Sequence, residues 1–188
     1  MKVKRIIETE TKVFMVGDKI SINLQGYGEF TATAHEVTGN GSLFIFDVCV
    51  CKRRMNATDT NEGGFVKSEL CSWMNTKLLR AFPDDIRSRM VADENGNYLT
   101  VPTHGQIFGK DYDDEWDQAN IDIDQRERLP LMKDRRNRIA DIDGKWTWYW
   151  LQNVIRSYPH FAGVLSGGAA NYGGASDVGG VRPVFLLN

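Results

Sequence analysis

The side chains of this sequence that could do chemistry are few and scattered: three cysteines, three histidines and one run of acids. Cys49 and Cys51 stand two apart in an apolar stretch, so a strand through them puts both thiols on one face. With His35 they would offer three ligands to a zinc-type ion. A tetrahedral site needs a fourth, and no second ligand pair has suitable spacing. The plainer reading is that the cysteines are small buried apolar residues, and no metal is assigned. Their odd number argues against a disulfide framework. Asp111, Asp113, Asp114, Glu115 and Asp117 have the carboxylate density of a calcium loop. The spacing fails, because Trp116 occupies the position that needs glycine and no glutamate closes the loop. A solvated acidic loop is the expectation. His35, His104 and His160 are the available imidazoles, and none stands beside a nucleophile and an orienting acid. No phosphate-cradling glycine pattern and no zinc-protease motif occurs. The sequence thus reads as a non-enzyme without a cofactor.

Composition narrows the setting. Lys and Arg number 23 against 25 Asp and Glu, a net charge of −2, which does not favour the many phosphate contacts of nucleic-acid binding. No apolar run approaches the ~20 residues of a membrane helix, so no membrane insertion is expected. The N-terminus is basic but has no apolar stretch long enough for a secretory signal, which predicts cytoplasmic synthesis and is compatible with later virion association. The 188 residues contain no repeat, low-complexity tract or long linker, and predict a single domain over residues 1–188. Residues 110–144 hold 11 acids and seven bases. There Lys133, Arg135, Arg136 and Arg138 form a basic cluster expected to make surface ion pairs.

Residues 1–51 read as β. Residues 19–24 alternate polar and apolar, the mark of a half-buried strand. Residues 30–37 and 43–50 predict a hairpin across Thr38-Gly39-Asn40-Gly41. The second of these loads both faces with apolar residues and is expected to be central. Ser68 caps a predicted amphipathic helix running to about Arg80. Pro83-Asp84-Asp85 marks a second helix start. Residues 98–101 read as a short strand, and Thr103 to Gln106 as a capping box with Gly109 ending the helix.

Residues 145–188 carry four charges, Lys145, Arg156, Asp177 and Arg182, and seven of the 18 glycines. Trp146, Trp148 and Trp150 alternate, which in one strand puts three indoles on a single face. Core packing is the expected role for Trp148 and Trp150. Residues 161–165 and 181–187 predict two further strands, with Pro183 at a strand start or bulge. Arg182, flanked by apolar residues, requires a fixed polar contact. The intervening Gly-, Ser-, Asn- and Tyr-rich loops suit adaptable binding.

These residues carry a resemblance. Trp148-Tyr149-Trp150-Leu151, Arg156-Ser157, Phe161-Ala162-Gly163-Val164, Gly168, Asn171-Tyr172, Ala175 and Gly180-Val181-Arg182-Pro183-Val184-Phe185 resemble a bacterial and phage domain of unknown function. Its members read W-W-L-R-S, then F-A-x-V, then G-V-R-P. Upstream, Leu70-Cys71-Ser72-Trp73-Met74-Asn75 resembles that family's S-x-L-R-x-W-L-N helix, and residues 101–109 its L-P-T-x-x-x-x-F-G segment. The similarity spans about residues 17–188.

The resemblance implies an α+β, C-type-lectin-like mixed fold with antiparallel sheets and two or three helices. Formylglycine-generating enzymes and the variable proteins of diversity-generating retroelements share that fold. It implies a ligand-binding or display domain for a protein or surface ligand, with homo-oligomers found among the related variable proteins. The candidate ligand-binding residues are Gln152, Asn153, Arg156, Tyr158, His160, Asn171, Tyr172, Ser176 and Asp177. Gln152-Asn153 departs from the family's R-S. The alternative is an oxidoreductase relative of the formylglycine-generating enzymes or a degenerate enzyme, but those use cysteines late in the fold and none follows Cys71 here.

Overall fold

In the computed structural model, residues 13–112 and 114–188 are described. Their strands are β1 (Lys19–Leu24), β2 (Gly28–Thr38), β3 (Gly41–Phe46), β4 (Cys51–Arg53), β5 (Met90–Val91), β6 (Ala140–Ile142), β7 (Lys145–Thr147), β8 (Tyr149–Val154), β9 (His160–Val164), β10 (Ala170–Gly174), β11 (Gly179–Val181) and β12 (Val184–Leu187). Four short α-helices accompany them: α1 (Glu69–Trp73), α2 (Asp84–Arg87), α3 (His104–Phe108) and α4 (Glu115–Asn120). The fold is α+β and sheet-rich, with one helix more than expected.

Two five-stranded sheets dominate, ordered β1-β2-β3-β12-β5 and β10-β9-β8-β11-β4. The pairings are antiparallel except β11 with β8. β1 alternates in burial as its sequence requires, with Ile20, Ile22 and Leu24 inward. The hairpin turns across residues 38–41 as expected. β3 is central, but it ends at Phe46 rather than Val50. The chain then leaves the first sheet and enters the second at Cys51. Cys49 and Cys51 therefore do not share a strand face. Cys49 packs in one core, Cys51 against the other.

The C-terminal strand expected over residues 181–187 is broken in the same way. β11 belongs to the second sheet and β12 to the first, and Arg182-Pro183 is the crossing. The two crossings run side by side: Val50 N donates to Val181 O (2.9 Å) and Phe46 N to Pro183 O (3.0 Å). Proline fits because its missing N–H is not needed there. Arg182, 3% exposed, ties the junction. Its Nε donates to Phe46 O (2.7 Å), Nη1 to Asn137 O (3.0 Å) and the Tyr149 hydroxyl (3.1 Å), and Nη2 to Asp47 O (3.5 Å).

Apolar residues fill both sides of this framework. One core joins Phe44, Phe46 and Phe185 to Leu70, Met74 and Leu78, and to Trp150 and Phe161 of the second sheet. The other joins Ile45 and Val184 to Tyr149, Leu151, Ile107 and Phe108. Phe44, Phe46, Phe82 and Phe185 pack with ring centroids 5.5–6.0 Å apart, the offset and edge contacts that add ~0.5–1.5 kcal/mol per pair beyond burial. The predicted helix begins at Ser68, whose hydroxyl accepts Cys71 N (3.1 Å), and continues past α1 as a wide π turn over Met74–Leu78 and a tight final turn to Ala81. The Thr103 capping box forms as expected. Residues 98–101 make a single bridge, Thr100 to Val184, instead of a strand. The three-tryptophan strand also fails. Trp148 lies between β7 and β8, leaving Trp146 73% exposed, while Trp148 and Trp150 meet edge to face at 4.6 Å. Of the basic cluster, Arg136 pairs with Asp134 (3.4 Å), whereas Arg135 donates to Gly167 O (2.6 Å).

β2 carries a bulge between Ala34 and Glu36, so His35 is the extra residue and its side chain is aimed at the crossing. Burial, then the neighbouring Arg182, pulls its imidazole from 6.5 down to about 3. The unfolded chain protonates this histidine where the folded one keeps it neutral. The stability it contributes is therefore complete above about pH 6.5 and is lost as pH falls towards 3, at up to ~1.4 kcal/mol per pH unit. His35→Gln should flatten the acid-side decline of the urea midpoint between about pH 6 and about pH 4. A second prediction tests the crossing. A Cβ on Gly180 would lie 2.7 Å from Cys49 Sγ and 2.9 Å from Trp148 O. Gly180→Ala should cost about 1–3 kcal/mol in urea unfolding. Gly39→Ala, with nothing within 4 Å, should stay within about 0.5 kcal/mol of the parent.

Candidate functional site

Four aromatic rings stack in a row on the surface. Tyr158 lies against His160 with centroids 5.6 Å apart, His160 against Tyr172 at 5.7 Å, and Tyr172 against Trp116 at 4.6 Å. The planes differ by 15–21°, so the rings are nearly parallel throughout. Tyr158, Tyr172 and Trp116 remain 55%, 43% and 36% exposed.

Sheet register places the centre of the row. Gly174 pairs with His160 and Ala162 with Tyr172, so the histidine and tyrosine are diagonal neighbours on one sheet face. Tyr158 sits in the tight β8–β9 connection, where His160 N donates to Tyr158 O (2.7 Å). Asn61 holds that loop: its Nδ2 donates to the carbonyls of Ile155 (2.9 Å), Tyr158 (2.9 Å) and His160 (3.1 Å). Asp59 holds the next loop, its Oδ1 accepting Ser176 N (2.9 Å) and Ser176 Oγ (2.7 Å). Those hydrogen bonds keep the Asp59 carboxyl below its usual range. Asp177 Oδ2 accepts Gly174 N (2.8 Å).

Trp116 reaches the row from α4. Asp114 caps this helix by accepting Trp116 N and Asp117 N, both at 3.0 Å. The helix is pinned at its far end by Arg156 N to Asn120 O (2.8 Å) and by the Ile121–Ile155 bridge. Underneath, Asp117 Oδ2 stands 3.4 Å from Nε2 of the fully buried His104. The acidic run is thus partly a helix with one carboxylate turned inward. Among the described residues no three His, Cys, Asp or Glu are arranged to hold a metal ion; Asp113 lies outside them.

Of the nine sequence candidates, Tyr158, His160 and Tyr172 are brought together in the row, and Ser176 and Asp177 lie in the adjoining loop. Arg156 is exposed at the foot of α4, with Asp122 at 3.5 Å. Three others are elsewhere. Asn171 neighbours Tyr172 in β10 and so faces the opposite side of the sheet. Gln152 Nε2 donates to Val101 O (2.7 Å) on the α3 side. Asn153 is buried in the irregular part of β8, with Oδ1 accepting His104 N (2.6 Å) and Nδ2 donating to Asp122 O (2.7 Å). Sequence reasoning missed Trp116 and the supports Asp59 and Asn61. The available signal was a lone tryptophan inside an acidic, otherwise solvated run.

The thiols lie apart from this face. Burial pushes Cys49 up to about 12, and Cys51 and Cys71 up to about 11, so all three are thiols at neutral pH. The row itself offers ring edges, two outer ring faces and a polar margin, which suits contact rather than bond making.

A family model described as a domain of unknown function (DUF6273) matches residues 40–188. The chain belongs to the DUF6273 family. No curated protein and no solved structure matches it. The ring row and its supports lie wholly within the DUF6273 segment, whereas β1 and β2 precede it and complete the first sheet. No helix among the described residues is long and apolar enough to cross a membrane.

The row and the framework should respond differently to truncation. Tyr158→Ala and Tyr172→Ala should leave unfolding free energy within about 0.5 kcal/mol of the parent. Asn153→Ala, which strands the buried His104 N–H, should cost about 1–3 kcal/mol in urea titration.

Proposed function

We propose that this DUF6273 chain is a single, non-enzymatic ligand-binding domain whose contact surface is the Tyr158–His160–Tyr172–Trp116 row. One observation carries the reading: four near-parallel rings, three of them exposed, set on a strand pair, its connecting loop and α4, with the adjoining loops cross-tied. Exposed aromatics need a reason, and rigid ones lose little entropy on contact. The faces of His160 and Tyr172 are already covered by their neighbours. What remains is a line of ring edges, suited to a broad, shallow contact with a protein or surface ligand rather than to enclosure of a small molecule. Asp59, Ser176, Asp177 and Arg156 would form the polar rim of such a contact.

The finer parts of the proposal rest on the sequence pattern. A C-type-lectin-like scaffold and phage or prophage origin, with the role of a retroelement variable protein, are supported by the W-Y-W-L to G-V-R-P order. The placement of three candidate residues on one loop-bearing face agrees with that role. The oxidoreductase alternative has weaker support, because the cysteines are protonated and lie apart from the exposed face.

Two experiments test this. Screening the purified chain against arrays of glycans and surface proteins should give hits that Trp116→Ala and Tyr172→Ala each weaken by at least about tenfold, with melting midpoints unchanged. Hits that survive both substitutions would remove the row from function. For the display role, the encoding locus should carry a reverse transcriptase and a near-copy of the C-terminal coding segment differing chiefly at adenines; a locus with neither sinks that part alone.

A further inference from the structure

A second feature lies at the sheet crossing and plays no part in the ring row. A cavity of about 380 Å³ opens there, lined chiefly by Lys19, Thr33, His35, Asp47, Asn137 and Arg182. It is polar, and its charges do not balance. The Lys19 ammonium is paired with the Asp47 carboxylate, and it also donates to Thr33 Oγ1 (2.6 Å). Arg182 has no such partner. Among the described residues its guanidinium meets three carbonyls and one hydroxyl, and no carboxylate oxygen within ion-pair distance. Its four hydrogen bonds leave one of the five guanidinium N–H groups without an acceptor. A buried cation of this kind calls for an anion.

His35 supplies an independent observation. The β2 bulge aims it at the cavity, and bulges of this type recur beside functional sites, where they redirect a side chain. It is 3% exposed, and its Nδ1 is buried with no hydrogen-bond partner among the described residues. Buried polar groups are nearly always paired. The cavity wall therefore holds one unmatched positive charge beside an unmatched imidazole.

We propose that this cavity binds a small monocarboxylate carrying an adjacent hydroxyl group, the carboxylate pairing with Arg182 and Lys19 and the hydroxyl with His35. A single negative charge fits, because Asp47 already neutralises Lys19 and would repel a dianion such as phosphate. The neutral imidazole has one donor and one acceptor nitrogen, which suits a hydroxyl. The site draws Lys19, Thr33 and His35 from ahead of the DUF6273 segment, and Asp47, Asn137 and Arg182 from within it.

The test is an NMR titration of the isotope-labelled full chain with glycolate, acetate and inorganic phosphate at matched ionic strength. The readouts are the His35 ring and Arg182 Nε–H resonances. Glycolate should give saturable shifts in the millimolar range, tighter than acetate, with phosphate shifting neither group. Lys19→Met should weaken glycolate by about tenfold, the loss of one charge-assisted contact, and His35→Gln should abolish its advantage over acetate. Tyr172→Ala, at the ring row, should leave the titration unchanged. Wild-type protein that shows no saturable shift with glycolate overturns the proposal, as does phosphate binding as tightly as glycolate. Glycolate binding that persists in both cavity variants does the same.

Discussion

The two sheets of this molecule share no continuous strand, and of the four passages of the chain between them two are short and lie side by side. Residues 47–50 carry it out of the first sheet, and Arg182-Pro183 carry it back. Where the two passages meet, one buried guanidinium binds the carbonyls of Phe46, Asn137 and Asp47 and the Tyr149 hydroxyl. A β-barrel or a single curled sheet would satisfy those carbonyls by strand pairing. Here the ladder is interrupted and an arginine side chain takes its place, bonded to neutral oxygens. It joins the two cores, since Phe46 belongs to one and Tyr149 to the other.

The exposed face is built on a different principle. Its rings come from a strand pair, the loop beside it and a short helix, and side-chain amides and carboxylates bonded to backbone tie these segments together. Asn61 gathers three carbonyls, Asp59 holds Ser176, and Asp114 starts the helix that delivers Trp116. Such contacts are local and leave the ring edges free. The result is a rigid apolar row on a surface whose polar residues are engaged in holding it. The cavity at the crossing is lined chiefly by polar and charged groups, and the row at the surface consists of aromatic rings.

Much of the local structure was legible. The alternation in residues 19–24, the turn at residues 38–41, the Ser68 cap and the Thr103–Gln106 box all formed as their sequences require, because each depends on interactions within a few residues. The candidate face was legible in part. Tyr158, His160 and Tyr172 come from one stretch, and His160 and Tyr172 share a strand pair. Asn153 looks equivalent in sequence, but an irregular β8 turns it inward to α3. Trp116 lies more than forty residues upstream of Tyr158 in an acidic run, and no local pattern marks it as their neighbour.

By itself the sequence determined where strands, turns and caps occur, that the C-terminal segment is poor in charge, and that Arg182 must find polar partners. The tertiary structure alone decided that the run through residues 43–50 leaves its sheet after Phe46 and that the run through residues 181–187 splits between two sheets. It alone decided that three rings gain a fourth from α4, and that His35 and Arg182 line one cavity. The physical reason is the range of the forces. Hydrophobic periodicity and capping act over a few bonds, whereas sheet assignment and ring stacking depend on which distant segments exclude water together, and burial is non-directional until the whole chain has packed.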